Sequence, residues 1–133
     1  MSRVFADTYY YLAILNPNDA GHQEAIEFAS TTTDTITTTG WVLTELADAL
    51  AHPANRQLVV DYIAEMKRRT STIIVPLDDQ LAERGLHLFA TRLDKHWSLT
   101  DCISFIVMQE AEITDALTAD HHFEQAGFRA LLK

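Results

Sequence analysis

Twice in this chain a short β-prone run closes near an aspartate and hands over to a helical stretch. It happens at Val4-Phe5-Ala6-Asp7-Thr8 and again at Leu117-Thr118-Ala119-Asp120. Strand-to-helix handovers at both ends of a chain are what a parallel α/β sheet produces, and the carboxyl edge of such a sheet is where ligands bind. An aspartate at that edge has two jobs open to it. It can cap the following helix by accepting a hydrogen bond from a backbone N–H, or it can aim its carboxylate into the crevice. The local sequence around Asp7 leaves both open.

Strand and helix signals alternate between these two points. Residues 3–6 read as a strand, and residues 9–15 are apolar at helical length. Asp19 is placed to cap a helix running to Ser30, with Ala25, Ile26 and Ala29 at helical spacing. A threonine-rich, β-prone run supplies a second strand at residues 35–38, punctuated by Gly40. Helix returns at residues 41–51 on the stripe Val42, Leu46, Ala49 and Leu50, and Pro53 ends it. A further helix at residues 54–69 closes on Lys67, Arg68 and Arg69, where basic side chains suit the negative end of the helix dipole. Residues 72–75 are a β-branched third strand stopped by Pro76.

Asp78 or Asp79 then caps a long helix whose expected buried face is Ala82, Leu86, Phe89, Ala90 and Leu93. A polar loop at residues 94–98 leads into a helix at residues 99–112, so apolar around Ile103 to Met108 that it must be largely buried. A strand at residues 114–117, a brief helix around Phe123 and a last strand at residues 128–131 complete the pattern. The expected fold is α/β: a three-layer sandwich with a mostly parallel central sheet of four to five strands and helices on both faces. No internal repeat or linker is visible, so the 133 residues read as a single domain large enough for its own core.

Charge and cysteine content narrow the function. Nineteen acidic against ten basic residues give a net charge of −9, which argues against a general nucleic-acid coat protein. It leaves room for an enzyme that meets RNA through a small basic patch, for a divalent-cation site, and for a basic protein partner. One cysteine, Cys102, excludes an internal disulfide and reads as a small buried hydrophobe. With no recognisable secretory signal and no uncharged apolar segment of membrane-spanning length, a cytoplasmic location away from membranes is expected.

Four acids merit comparison. Asp7 and Asp120 should share the carboxyl edge of the sheet. Asp101, in Ser98-Leu99-Thr100-Asp101, fits a capping box as well as a site. Glu45 borders the apolar stripe of its helix, where glutamates usually snorkel at the rim, while Asp48 turns further towards water. Each acid alone has a structural explanation; together they do not sit easily. Carboxylates converging on one cleft repel one another and force some to protonate near neutrality unless a divalent cation offsets them. Mg²⁺ and Mn²⁺ prefer oxygen ligands, and such a centre can activate water for in-line attack on a phosphodiester.

At these residues the sequence resembles a known family. Ala6-Asp7-Thr8, Trp41 followed by Thr44-Glu45-Leu46, Trp97-Ser98-Leu99-Thr100-Asp101-Cys102 and Leu117-Thr118-Ala119-Asp120-His121-His122-Phe123 look like PIN domains, and most like the VapC-type ribonuclease toxins of toxin–antitoxin pairs. The motifs stand in family order over nearly the whole chain. The resemblance implies that Asp7, Glu45, Asp101 and Asp120 form a catalytic acidic site dependent on Mg²⁺ or Mn²⁺ that cleaves structured RNA such as tRNA or rRNA. It implies that Thr8 and Thr118 hold carboxylates or a water. Ser104 falls near the place where some relatives carry a further acid, which leaves the number of metal ions open. A homodimer and a small antitoxin, whose tail enters the acidic groove, are also implied.

For RNA contacts, Arg92, Lys95 and His96 are preferred over the Lys67-Arg68-Arg69 run because they stand just before the Asp101 motif. Zinc is disfavoured, since the adjacent His121 and His122 should point apart and no partner stands at zinc-finger spacing. Tyr9, Tyr10 and Tyr11 could stack bases, but packing of their helix on the sheet explains at least two of them. Two other readings compete: a catalytically inactive PIN-like module that binds RNA or protein, and a phosphoacceptor signalling domain. The second lacks the acceptor aspartate after the third strand, where Val75-Pro76-Leu77 stands, and the later lysine.

Overall fold

The structure, a computed structural model, describes residues 2–133. Its elements follow the chain as β1 (Arg3–Ala6), α1 (Thr8–Leu15), α2 (His22–Thr31), β2 (Thr35–Thr39), α3 (Gly40–Ala49), α4 (Pro53–Arg68), β3 (Thr72–Val75), α5 (Asp79–Thr91), α6 (Leu99–Glu110), β4 (Asp115–Leu117), α7 (His121–Gln125) and β5 (Arg129–Ala130). The five strands form one sheet in the order β3-β2-β1-β4-β5, and every pairing is parallel. The architecture is the expected PIN-like α/β sandwich, parallel throughout rather than mostly so.

Local chemistry explains the elements and the places where they depart from expectation. The β2 threonines do more than favour extended backbone. Thr38 Oγ1 donates to Ala6 O at 2.8 Å, tying the carboxyl ends of β1 and β2 together, and Thr39 Oγ1 accepts from Val42 N–H at 3.1 Å to cap α3. With that cap in place, Gly40 is the first residue of α3 rather than a break before it. Pro53, expected to stop a helix, opens the next one at its first position, where the absent N–H costs nothing. Asp19 does not cap α2; its Oδ1 accepts from Gly21 N–H at 2.8 Å in the preceding turn, and Gly21 takes the cap position.

The expected face of α5 is the largest correction. Its buried residues are Leu81 and Gly85, whereas Leu86 and Phe89, and Leu93 just past the helix, are exposed. Gly85 is what draws that side inward, since a Cβ there would come within 2.4 Å of Ile103 Cγ1 on α6. The two helices thus meet through a glycine. The α6 helix itself is buried from Asp101 to Met108, as its sequence demands, and Cys102 is a fully buried small residue.

Beneath the sheet edge, Phe5, Phe105, Phe123 and Trp97 form one aromatic cluster, with centroids 4.9 Å apart for Trp97–Phe105 and 5.0 Å for Phe105–Phe123. Tyr10 and Tyr11 are buried in a second cluster with Phe28 and Tyr62, which leaves Tyr9 the only one of the three N-terminal tyrosines near solvent. No helix among the described residues is long and apolar enough to cross a membrane.

Candidate functional site

The strand order defines where a site can form. The connection from β1 runs to β2 on one side, while β4 returns on the other side of β1, so the crevice between the carboxyl ends of β1 and β4 is a topological switch point. Asp7 follows β1 and Asp120 follows β4 by three residues. Glu45 comes from α3, which leaves the neighbouring β2, and Asp101 comes from the first turn of α6. All four line an open cleft of about 630 Å³, together with Thr8, Tyr9, Leu12, His96, Ser98 and His122.

The two roles open to Asp7 are now separated. Asp7 occupies the cap position of α1 but its side chain makes no capping hydrogen bond. Its Oδ2 instead accepts from Thr118 Oγ1 at 3.0 Å, across 111 residues of chain. The same Thr118 hydroxyl accepts from Asp120 N–H at 3.1 Å, so one buried threonine fixes the ends of β1 and β4 relative to each other. Thr8 Oγ1 donates to Glu45 Oε1, which gives the half-buried glutamate a fixed place at the cleft wall. Asp101 and Ser98 form the expected capping box, with Asp101 N–H donating to Ser98 Oγ at 3.0 Å and Ser98 N–H to Asp101 Oδ2 at 3.2 Å. Asp120 both lines the cleft and caps α7 by accepting from His122 N–H at 2.9 Å.

Burial and mutual repulsion show in the acids' proton affinities. Asp7 is 7% exposed, and its pKa is pushed up from 3.8 to about 7. Burial is the main cause and the neighbouring Asp101 the second; the Thr8 backbone and the Thr118 hydroxyl oppose them without cancelling them. The Asp101 carboxyl is raised too, first by burial and then by Asp120, against the pull of the Ser98 backbone and His122. No lysine or arginine is among the lining residues to offset these charges.

The donor set of the cleft therefore suits a hard divalent cation: carboxylate oxygens with no lysine or arginine among the lining residues. The acids are spread along the cleft rather than closed into one tight shell. Among the described residues, the one group of three whose ligand atoms all lie within 4.8 Å is Asp120, His121 and His122. Mg²⁺ keeps several waters, which span such wider gaps.

The remaining sequence candidates divide. His96 is in the cleft wall, but Arg92 and Lys95 are not among its lining residues. Arg92 holds Asp94 through two bonds of 3.0 and 3.1 Å and lies 4.8 Å from the Trp97 ring centroid, and Lys95 stands 3.9 Å from the same Asp94. Ser104 is fully buried inside α6, does not line the cleft, and its hydroxyl has no hydrogen-bond partner among the described residues.

His122 is the residue that sequence reasoning missed. Its Nδ1 lies 3.2 Å from Asp101 Oδ2 and 3.4 Å from Asp120 Oδ1. Nor do the two histidines point apart as expected. Their rings are 4.4 Å apart, and His121 Nδ1 also faces Asp120 Oδ1, at 3.6 Å. The expectation of divergence holds for an extended chain; here both residues sit in the first turn after a capping aspartate, and both rings fold back to it. An aspartate at a helix start followed directly by histidines is the signal that could have found them.

An all-parallel sheet with an acidic cleft at its switch point matches a PIN-like fold. Known proteins narrow the class further. The chain is 26% identical over 125 residues to the "23S rRNA-specific endonuclease VapC20" of Mycobacterium tuberculosis, covering 94% of this chain and 95% of that protein. A crystal structure of M. tuberculosis VapC20, titled a "Sarcin-Ricin loop cleaving toxin", matches with a TM-score of 0.87 at 25% identity over 98% of this chain and 99% of the other. No protein-family profile matches the chain. Both likenesses are to the same VapC toxin, and both extend over nearly the whole of this chain.

A second hollow, of about 590 Å³, lies between α3, α4 and β3 and is lined by apolar residues such as Leu43, Ile63 and Leu77 with one acid and one base, Asp48 and Lys67. It offers no converging carboxylates, unlike the switch-point cleft.

Proposed function

We propose that this protein is a Mg²⁺- or Mn²⁺-dependent endoribonuclease, the toxin of a toxin–antitoxin pair, hydrolysing phosphodiester bonds in structured RNA. The observation that supports it is the convergence of Asp7, Glu45, Asp101 and Asp120 on one cleft with no lysine or arginine in its lining, in a chain similar over nearly its whole length to a 23S rRNA-specific endonuclease. Ribosomal RNA is accordingly the first substrate to test.

Asp7, Asp101 and Asp120 would hold the ion, which when bound polarises water and offsets charge on the phosphate. The chain's own groups do the positioning. Thr118 fixes Asp7 against β4, and Thr8 holds Glu45 where it serves as a ligand or orients the attacking water. His96, in the cleft wall, would meet RNA there. Arg92 and Lys95 reach a phosphate by exchanging it for Asp94. A basic antitoxin side chain would find the same carboxylates and block the cleft. The reading includes a cytoplasmic homodimer, for which Leu86, Phe89 and Leu93 offer an exposed apolar row.

Incubating total RNA with wild-type protein and Asp7→Asn, with Mn²⁺ or Mg²⁺, and mapping the cut ends is the test. Discrete cleavage by wild type, reduced in the variant by more than the ~10–100-fold typical of losing an outer-shell partner, is expected. Unchanged cleavage by Asp7→Asn overturns the mechanism. A folded wild type that cuts with neither ion points to an RNA- or protein-binding module.

A further inference from the structure

Among the described residues, the tightest cluster of metal-ligating atoms is not made of the four acids. It is Asp120 with His121 and His122, whose ligand atoms all lie within 4.8 Å of one another. We propose that these three residues form a mixed carboxylate–imidazole position at one end of the cleft that takes Mn²⁺, or another imidazole-binding transition ion, in preference to Mg²⁺. The inference deepens the metal-dependent reading above and rests on it.

Three observations carry it. The first is spacing. Neighbouring ligands around one octahedral ion with bonds of roughly 2.2 Å stand ~3.1 Å apart, and around a tetrahedral one ~3.6 Å. His122 Nδ1 and His121 Nδ1 are 3.4 and 3.6 Å from Asp120 Oδ1, close to those separations without any rearrangement. The second is orientation. Two adjacent imidazoles would ordinarily diverge, yet these rings lie 4.4 Å apart and converge on one carboxylate oxygen. The third is access on one side and a further oxygen on the other. His121 is exposed beside the cleft, while His122 is largely covered and its Nδ1 also lies 3.2 Å from Asp101 Oδ2, which puts a further carboxylate oxygen within reach of the same position.

Ligand softness then sets the preference. Mg²⁺ is bound through oxygen and keeps its waters, whereas Mn²⁺, Co²⁺ and Zn²⁺ also accept imidazole nitrogen. A cleft with acids along its length, and at one end His122 in its lining with His121 beside it, therefore discriminates among ions that an all-acid cleft would treat more alike.

Pulsed electron paramagnetic resonance on the full chain loaded with Mn²⁺ tests this, beside calorimetric titration with Mn²⁺ and with Mg²⁺. Wild type is expected to show nitrogen-14 modulation from a directly bound imidazole. His122→Asn should reduce that signal and the double variant with His121→Asn should abolish it, with Mn²⁺ binding weakened about tenfold or more in the double variant and Mg²⁺ binding little changed. Circular dichroism of each variant checks that it is folded. Mn²⁺ binding with oxygen ligands only, or an equal loss for both ions, overturns the mixed site and leaves the acidic centre standing. No Mn²⁺ binding by wild type overturns both.

Discussion

At Asp7 the fold sets a carboxyl group against the core because β1 is buried on both faces and ends there. The result is an acid that keeps its proton to about pH 7, with burial as the main cause. The sign of the consequence is fixed by linkage. A carboxyl whose pKa is higher in the folded state binds protons more tightly folded than unfolded, so the metal-free protein loses stability as pH rises from near 3.8 to about 7. Asp101, raised for the same first reason, adds to the trend. Between those limits Asp7 alone removes up to ~2–4 kcal/mol. In EDTA, Asp7→Asn should therefore be more stable than wild type at pH 8 by a few kcal/mol, with little difference at pH 4. Urea denaturation at both pH values measures this, and equal stabilities at pH 8 would show the carboxyl to be well solvated. Adding Mn²⁺ at pH 8 should stabilise wild type, by ~2.7 kcal/mol at a hundredfold excess over Kd, and Asp7→Asn by less at the same concentration.

Helices α6 and α7 end in the same way with different residues. After α7, Gly127 has φ +96°, and Phe128 N–H reaches Phe123 O at 3.0 Å while Gly127 N–H reaches Glu124 O at 3.0 Å. After α6, Glu112 has φ 56°, with Ile113 N–H to Met108 O at 2.9 Å and Glu112 N–H to Gln109 O at 3.2 Å. Both are left-handed helix caps, but only one carries the glycine that suits it. Glu112→Gly should raise stability by about 0.5–1 kcal/mol, and Glu112→Ala should not, since only glycine relieves the left-handed backbone. Thermal melts that rank the two variants equally would refute that origin. The converse holds at Gly85, where alanine drives a methyl into Ile103 and should cost about 1–3 kcal/mol. Gly85 also explains a limit of sequence reading. Apolar periodicity placed the strands and most helices of this chain, but it assigns no weight to glycine. The α5 stripe at 86, 89 and 93 therefore looked more core-like than the true contact through Leu81 and Gly85. Helix-start geometry hid the histidines similarly, because the reading of His121 and His122 assumed directions that a capped first turn reverses.

On the scale of the molecule, the sheet order brings together acids that the sequence holds far apart, and that much was legible: motif order named Asp7, Glu45, Asp101 and Asp120, and the switch point between β1 and β4 gathers them. Which cations accompany them was not, because Asp94, two residues from Arg92 and adjacent to Lys95, captures both. The apolar row left outside the core bears on assembly. Leu86 and Phe89 are about half exposed and Leu93 is 90% exposed, at spacings that align them on one side of α5 and its extension. In the proposed homodimer this row is the contact, since each protomer carries a net charge of −9 and long-range electrostatics oppose their approach. Association held by apolar burial against like-charge repulsion should strengthen with salt, because screening shortens the repulsion to ~8–10 Å at physiological ionic strength while leaving burial intact. An interface of ion pairs would weaken instead. Sedimentation equilibrium across a salt series is thus expected to show a dimer that tightens from low to moderate NaCl, and Phe89→Ser with Leu86→Ser should yield a folded monomer throughout. A dimer that persists in the double variant would place the interface elsewhere, and one that loosens with salt would make it polar.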